Sequence, residues 1–78
     1  MKGKEYIMKI SARNQLKGTV VEITEGAVNS IVVLKIGDAT IKASITNEAV
    51  KELDLAVGKE AYAIIKASSV MVGVTHKD

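Results

Sequence analysis

The strongest constraint on the fold is an alternation of apolar and polar residues with a period of two, which is clearest in the segment ATIKASI at residues 39–45. Every second residue there is Ala or Ile, and the residues between them are Thr, Lys and Ser. Successive side chains of a strand point to opposite faces, so this period predicts a strand with one buried face. Ten Val, nine Ile and five Thr favour strands elsewhere, and no Pro interrupts them. The chain is therefore predicted to be all-β.

Six segments carry the strand pattern. The predicted strands are residues 8–13, 19–24, 28–36, 39–45, 60–67 and 70–74. Gly18 predicts a bend after the first of them, and Gly37-Asp38 is typical of a two-residue hairpin turn.

The same alternation predicts which side chains share a face. In residues 8–13, Ser11 and Arg13 are expected on the polar face, with Met8, Ile10 and Ala12 on the other. In residues 19–24, Val21 and Ile23 are expected on one face. In residues 28–36, the shared face is predicted to hold Ser30, Val32, Leu34 and Ile36.

The period changes after the fourth strand. Ala49, Val50 and Leu53 have helical spacing, and Thr46 or Asn47 is a suitable N-cap. We expect one short helix here, followed by a turn at residues 57–59. Short strands with one helix between them indicate a small Greek-key barrel like the OB fold, and another small β-barrel or a sandwich is the alternative.

The length of the chain indicates one domain that associates with itself. With 78 residues it buries a modest core, and it has no Cys to form disulfides. Self-association is the remaining common way to stabilise so small a scaffold. We expect the domain to span residues 8–74, with residues 1–7 as an N-terminal extension and residues 75–78 as a C-terminal tail.

Composition argues against catalysis, membrane insertion and secretion. The single His is residue 76, and without Cys neither a catalytic triad nor a thiolate metal site is available. No apolar run is long enough to cross a bilayer, and no signal peptide is visible. We expect a cytoplasmic protein that is not an enzyme and has no covalent cofactor or metal site.

Three polar segments are candidates for an anion site. The first has a hydroxyl and a guanidinium at Ser11 and Arg13, two residues apart on a strand. The second is the start of the helix at Thr46 and Asn47, where backbone N–H groups are free. The third is Lys66-Ala67-Ser68-Ser69, a cation followed by hydroxyls. On spacing alone, an exposed Arg, an ordinary N-cap and a surface Lys are favoured over a shared anion site.

Three longer segments resemble one family. MKISARNQLKG at residues 8–18, ASITNEAVKELDL at residues 43–55 and AIIKASSVMVGV at residues 63–74 closely resemble the molbindins, whose domain is called Mop or TOBE. The three segments have the order and spacing of that family.

The resemblance implies a protein that binds molybdate or tungstate without covalent chemistry. It also implies a hexamer, arranged as a trimer of dimers, that holds oxyanions between subunits. Carried over residue by residue, it assigns anion contacts to Ser11, Arg13, Thr46, Asn47, Lys66, Ala67 and Ser68. The protein would then serve molybdate storage or homeostasis.

Two other functions stay open at this point. A molybdate-sensing module that acts through a separate partner would have the same fold. Small β-barrels also bind single-stranded nucleic acid, but they stack bases on aromatic rings and use basic grooves. With two Tyr as the only aromatic residues and a net charge of +2, the sequence disfavours nucleic acid.

Overall fold

A computed structural model describes residues 10–76 of the chain. Four strands and one short helix follow one another in the order β1 (Asn14–Glu25), β2 (Asn29–Ile36), β3 (Ala39–Thr46), α1 (Asn47–Glu52) and β4 (Glu60–Ile65). A single 3-10 turn, Ala67–Ser69, follows β4. The predicted extension at residues 1–7 and the first two residues of the strand predicted at 8–13 lie outside the described residues.

The strands form one antiparallel sheet in the order β3-β2-β1-β4. The long strand β1 pairs with β4 through its first half and with β2 through its second half, and Thr19 pairs with both. β2 and β4 come into contact although β1 lies between them, so the sheet is curled. Together with the short helix, this agrees with the predicted small, OB-like β fold.

The core lies on the inner face of the curl. It centres on a cluster of four buried side chains from three strands, Val20, Val32, Leu34 and Ala63. The side chains of β2 predicted to share a face do so, since Ser30, Val32 and Leu34 are buried and Ile36 is partly buried. The hairpin between β2 and β3 is also confirmed, because Ile36 pairs with Ala39 and Gly37 adopts the positive φ of 61° that such a turn requires.

The prediction that Val21 and Ile23 share a face is wrong. The pairing of β1 with β2 shifts between Val20 and Glu22, which marks a β-bulge at Val21. A bulge adds one residue to one strand and so reverses the phase of the alternation beyond it. As a result Val20 and Ile23 face the core, while Val21 is exposed.

The bend predicted at Gly18 is also wrong, because β1 runs through this residue without a break. Glycine is required here for close approach. A Cβ atom at this position would lie 2.6 Å from the carbonyl oxygen of Lys35 and 2.7 Å from the side chain of Ile36. The absent side chain allows the end of β2 to lie directly against β1.

Two predicted strands are not formed within residues 10–76. Residues 10–13 precede β1 as irregular chain, and residues 70–74 have no regular secondary structure and belong to no ladder. Met71, Val72 and Val74 are 93%, 92% and 91% exposed. The apolar character of this C-terminal segment favours a strand, but neither sheet edge of its own chain pairs with it.

Candidate functional site

The first strand and the last strand meet at one corner of the sheet. Asn14, the first residue of β1, pairs with Ile65, the last residue of β4. The Asn14 side-chain amide also donates to the Ile65 carbonyl oxygen at 3.2 Å, which ties the two strand ends together. Arg13 and Lys66 each lie one residue beyond this pair, so the fold brings two of the three predicted segments together.

Ser11 and Arg13 both lie on the solvent side of the chain before β1. Each is exposed, while Ala12 between them is buried. The predicted alternation therefore holds at residues 11–13 although no ladder forms, but it fails at Ile10, which was expected on the face of Ala12 and is exposed. The side chain of Gln15 donates to the Ala12 carbonyl oxygen at 3.2 Å and so fixes the local backbone.

On the β4 side of the corner, the chain turns in a way that frees hydrogen-bond donors. Lys66 caps the 3-10 turn in an extended conformation, and the first bonds of the turn run from Ser69 N to Lys66 O and from Val70 N to Ala67 O. The N–H groups of Ala67 and Ser68 precede those bonds and have no partner inside the turn. Lys66 and Ser68, which carry an ammonium group and a hydroxyl, are adjacent to them in the sequence.

We call Ser11, Arg13, Lys66, Ala67 and Ser68 the Arg13–Lys66 corner. None of these residues is acidic. Within residues 10–76 neither Arg13 nor Lys66 has an ion-pair partner, whereas Lys17 pairs with Glu60 at 3.0 Å and Lys59 with Asp54 at 2.9 Å. The hydrogen bond and charge of Glu60 raise the pKa of Lys17 above its usual value. The corner therefore carries two cations that no carboxylate of residues 10–76 neutralises.

The third predicted segment lies elsewhere. Thr46 ends β3 and pairs with Asn29 at the start of β2, next to the pair that Ser30 makes with Glu25 at the end of β1. Thr46 and Asn47, which we call the Thr46 end, therefore lie at the far end of β1 from Asn14. β1 has 12 residues, so this separation is on the order of 35 Å along the strand at about 3.3 Å per residue. No strand pairing or hydrogen bond within residues 10–76 brings the two regions together.

At the Thr46 end, the predicted N-cap is confirmed. The Thr46 hydroxyl oxygen accepts from the Ala49 N–H at 3.0 Å, as an N-cap does. Its own proton remains available as a donor, because a hydroxyl can accept and donate at once. The Asn47 N–H already donates to the Val28 carbonyl oxygen at 2.8 Å. The amides of Asn47 and Ala49 are thus engaged, and the hydroxyl is the clearest donor here.

The side chain of Asn47 has protein partners on both of its polar atoms. Its Nδ2 donates to the Gly26 carbonyl oxygen at 2.9 Å, and its Oδ1 accepts from the Ser30 hydroxyl. Sequence reasoning placed Ser30 on the inner face but gave it no partner. The signal was a hydroxyl in the middle of an apolar, inward-facing row, since a buried hydroxyl must find a hydrogen bond. Asn14 was missed altogether, and no local pattern marks it.

A large apolar groove opens on the inner face of the curl. Its volume is about 690 Å³, and its lining is mainly aliphatic, including Leu34, Ile41, Ile45, Leu55, Ala63 and Ile65. Within residues 10–76, β3 and β4 each have one edge with no strand beside it.

Residues 10–76 contain neither a metal-binding cluster nor a membrane-spanning helix. Among residues 10–76, no three side chains of His, Cys, Asp or Glu gather as a metal site requires. No helix in that range has the length and hydropathy to span a membrane.

Comparisons with known proteins converge on one group. The sequence profile of the TOBE domain matches residues 10–72. A probable molybdenum-pterin-binding protein of Haemophilus influenzae is 66% identical over 68 residues, which are 86% of this chain and 99% of the relative.

Solved structures agree. A molybdate-binding protein from Sporomusa ovata superposes with a TM-score of 0.81 at 39% identity and covers 86% of this chain and 100% of its own. The cytoplasmic molybdate-binding protein ModG, crystallised with molybdate bound, superposes with a TM-score of 0.81 at 48% identity; the match covers 87% of this chain and 49% of ModG.

Proposed function

Because this chain belongs to the TOBE domain family, we propose that it is a molybdate-binding protein that stores or buffers the oxyanion. The resemblance to molbindins that three sequence segments indicated is confirmed by relatives and solved structures of molybdenum- and molybdate-binding proteins. Tungstate, which has the same tetrahedral shape and charge as molybdate, is the second ligand that we propose.

One observation carries the proposal. The Arg13–Lys66 corner combines two cations that have no carboxylate partner within residues 10–76 with two free backbone N–H groups and two hydroxyls. Each of these groups can donate a hydrogen bond to an anion.

The chemistry of molybdate matches this set of donors. Molybdate is a dianion with four acceptor oxygens and no donor, so a site made of donors satisfies it completely. Hydrogen bonds to a charged acceptor contribute roughly 1.5–3 kcal/mol each. Several such bonds are enough for affinity in the micromolar range or better after the cost of ordering the ligand.

The same set of donors disfavours competing anions. Phosphate carries a proton near neutral pH, and a site without a carboxylate offers that proton only the lone pairs of hydroxyls that already donate to the anion. Sulfate has the charge and shape of molybdate but is smaller. Its rejection requires a cavity of fixed size, and a site formed across a subunit interface can provide one.

We infer that each oxyanion is held between chains. The Thr46 end adjoins the opposite end of β1 from the Arg13–Lys66 corner, and no pairing or hydrogen bond within residues 10–76 joins the two groups in one chain. A second copy resolves this, since its Thr46 end can face the corner of the first. Ser11, Arg13, Lys66, Ala67 and Ser68 would then act from one chain, and the Thr46 hydroxyl, which lies next to Asn47, would act from its neighbour.

Two apolar surfaces support assembly. The C-terminal segment at residues 70–74 is apolar and more than nine-tenths exposed at Met71, Val72 and Val74. The inner groove is aliphatic and is bordered by free strand edges. We propose that this segment of a second copy lies in the groove, where it buries its side chains and adds a strand. A hexamer built as a trimer of dimers is the assembly that we propose.

The proposed role needs no catalysis. The relatives are described as binding proteins, and ModG is described as cytoplasmic. We propose the same compartment for this chain. The family match at residues 10–72 falls inside residues 8–74, the range that we propose for the domain.

Calorimetry tests the function directly. Protein stripped of anions is titrated with molybdate in excess sulfate, and saturable binding with micromolar or tighter affinity is expected. A stoichiometry that matches shared sites would support binding between chains. If molybdate gives neither heat at several temperatures nor a shift in the melting temperature, the function is refuted.

A further inference from the structure

A buried polar group interrupts the apolar inner face of β2. Ser30 is only 1% exposed and lies in a row with Val32 and Leu34. Its hydroxyl donates to Oδ1 of Asn47, the first residue of α1. A buried hydroxyl is costly without such a bond, so Ser30 and Asn47 depend on each other.

Asn47 joins the helix start to β2 and to the β1–β2 turn through three hydrogen bonds. Besides the bond from Ser30, its Nδ2 donates to the Gly26 carbonyl oxygen at 2.9 Å, and its backbone N–H donates to the Val28 carbonyl oxygen at 2.8 Å. The turn is itself closed by a bond from Gly26 N to Asn29 O at 2.8 Å. A Cβ atom on Gly26 would lie 2.7 Å from that Asn29 oxygen, so the turn is tightly packed.

These bonds fix the residue immediately before Asn47. Thr46 lies between its ladder partner Asn29 and the bonds of Asn47. The direction of its hydroxyl is set further by the N–H of Ala49, from which it accepts at 3.0 Å. The Thr46 donor is therefore held by a set of bonds that is anchored at the buried Ser30 and completed by exposed bonds to Gly26 and from Ala49.

We propose that Asn47 is a positioning residue, which together with Ser30 holds the Thr46 hydroxyl where the oxyanion meets it, and that Asn47 does not contact the oxyanion itself. This role rests on the proposed function. It deepens that function by assigning contact with the ligand to Thr46 and the orientation of Thr46 to Asn47 and Ser30.

The experiment uses the full chain and compares Ser30→Ala, Asn47→Ala and the double variant. Molybdate and sulfate dissociation constants are measured by calorimetry on folded, assembled protein. Each single variant is expected to weaken molybdate binding about fivefold or more and to reduce discrimination against sulfate. The double variant is expected to match the singles, because groups that act as one unit are not additive.

A matched control separates positioning from stability. Val20 is fully buried in the core and lies near the middle of β1, away from both ends. Val20→Ala is expected to lower the melting temperature while leaving both dissociation constants unchanged. Where Ser30→Ala or Asn47→Ala does not fold, Ser30→Cys serves instead, since it keeps the side-chain volume and weakens only the donor.

Two results would overturn the proposal. If Asn47→Ala weakens binding and Ser30→Ala does not, Asn47 touches the anion directly, because a residue as buried as Ser30 can act only through its partner. If the variants, Ser30→Cys included, bind like the unsubstituted protein, the pair plays no part in binding. A lack of molybdate binding by the unsubstituted protein would refute the function itself and this role with it.

Discussion

Arg13 and Lys66 flank a single antiparallel pair, since each lies one residue beyond Asn14 and Ile65, which face each other across β1 and β4. They are 53 positions apart in the sequence. The ladder and the bond from Asn14 to Ile65 bring them together. Single substitutions can change one feature of this arrangement, or of the strands and surfaces around it, at a time.

Loss of either cation should weaken molybdate binding without unfolding the protein. Arg13 and Lys66 are exposed, so Arg13→Ala and Lys66→Ala should leave the melting temperature of the anion-free protein nearly unchanged. We expect at least about a tenfold rise in the dissociation constant for each, because a charged hydrogen bond is lost. Equilibrium dialysis with molybdate measures this.

Two substitutions control for charge alone. Lys35→Ala removes one positive charge from the outer face of β2, and we expect no change in affinity. Glu52→Ala removes a negative charge from the end of α1, and we expect unchanged or slightly tighter binding. An Arg13→Ala protein that binds as tightly as the Lys35→Ala protein would contradict the assignment of Arg13.

The hydroxyl of Thr46 should contribute to binding and stability independently of the volume of the side chain. Thr46→Val keeps the volume but removes both the donor and the N-cap, so we expect weaker molybdate binding and a loss of about 1 kcal/mol in the free energy of unfolding. Thr46→Ser keeps the hydroxyl and should retain most of both. Calorimetry and thermal denaturation report the two effects. If Thr46→Val binds molybdate normally, the Thr46 end does not belong to the site.

A charge in the C-terminal segment should break the assembly. Val72 is 92% exposed within its own chain, and we propose that a second copy buries it. Val72→Asp should therefore yield smaller species in analytical ultracentrifugation, because a buried unpaired carboxylate is costly. Val57→Asp introduces the same change in an exposed turn and should leave the size unchanged. Equal sizes for the two variants would argue against docking of this segment.

Gly18→Ala should destabilise the fold by about 1–3 kcal/mol, a range typical of overpacked sites. The added Cβ would meet backbone at the end of β2, which cannot move as a flexible side chain can. Gly37→Ala is the comparison, because nothing lies within 4 Å of the added atom and only the positive φ is strained. It should cost less, about 1 kcal/mol. Urea denaturation gives both values, and a neutral Gly18→Ala would mean that β1 and β2 separate easily at this point.

The parts of the fold that are set by residues adjacent in the sequence were predictable from the sequence. The hairpin at Gly37 and the cap at Thr46 are set by a turn residue and a hydroxyl in the right local position. The bulge at Val21 was not predictable, because it exists only relative to the partner strand. The strand predicted at residues 70–74 is not formed, because an apolar pattern cannot show that its own chain provides no ladder for it.

The candidate site shows the same division. Residue types alone identified donors at Arg13, Thr46 and Lys66, and family resemblance added their shared ligand. Which of them meet within one chain depends on the strand order and on which end of β1 each segment adjoins. The partner of Ser30 likewise required the fold, since 17 positions separate it from Asn47.

The separation of the two donor groups along β1 has a genetic consequence. An Arg13→Ala chain carries an intact Thr46 end, and a Thr46→Val chain carries an intact Arg13–Lys66 corner. When the two defective proteins are unfolded together and refolded as a mixture, some interfaces combine the two intact halves. Such a mixture should regain part of the lost binding, although neither parent binds well, so that two null alleles would complement each other in one cell.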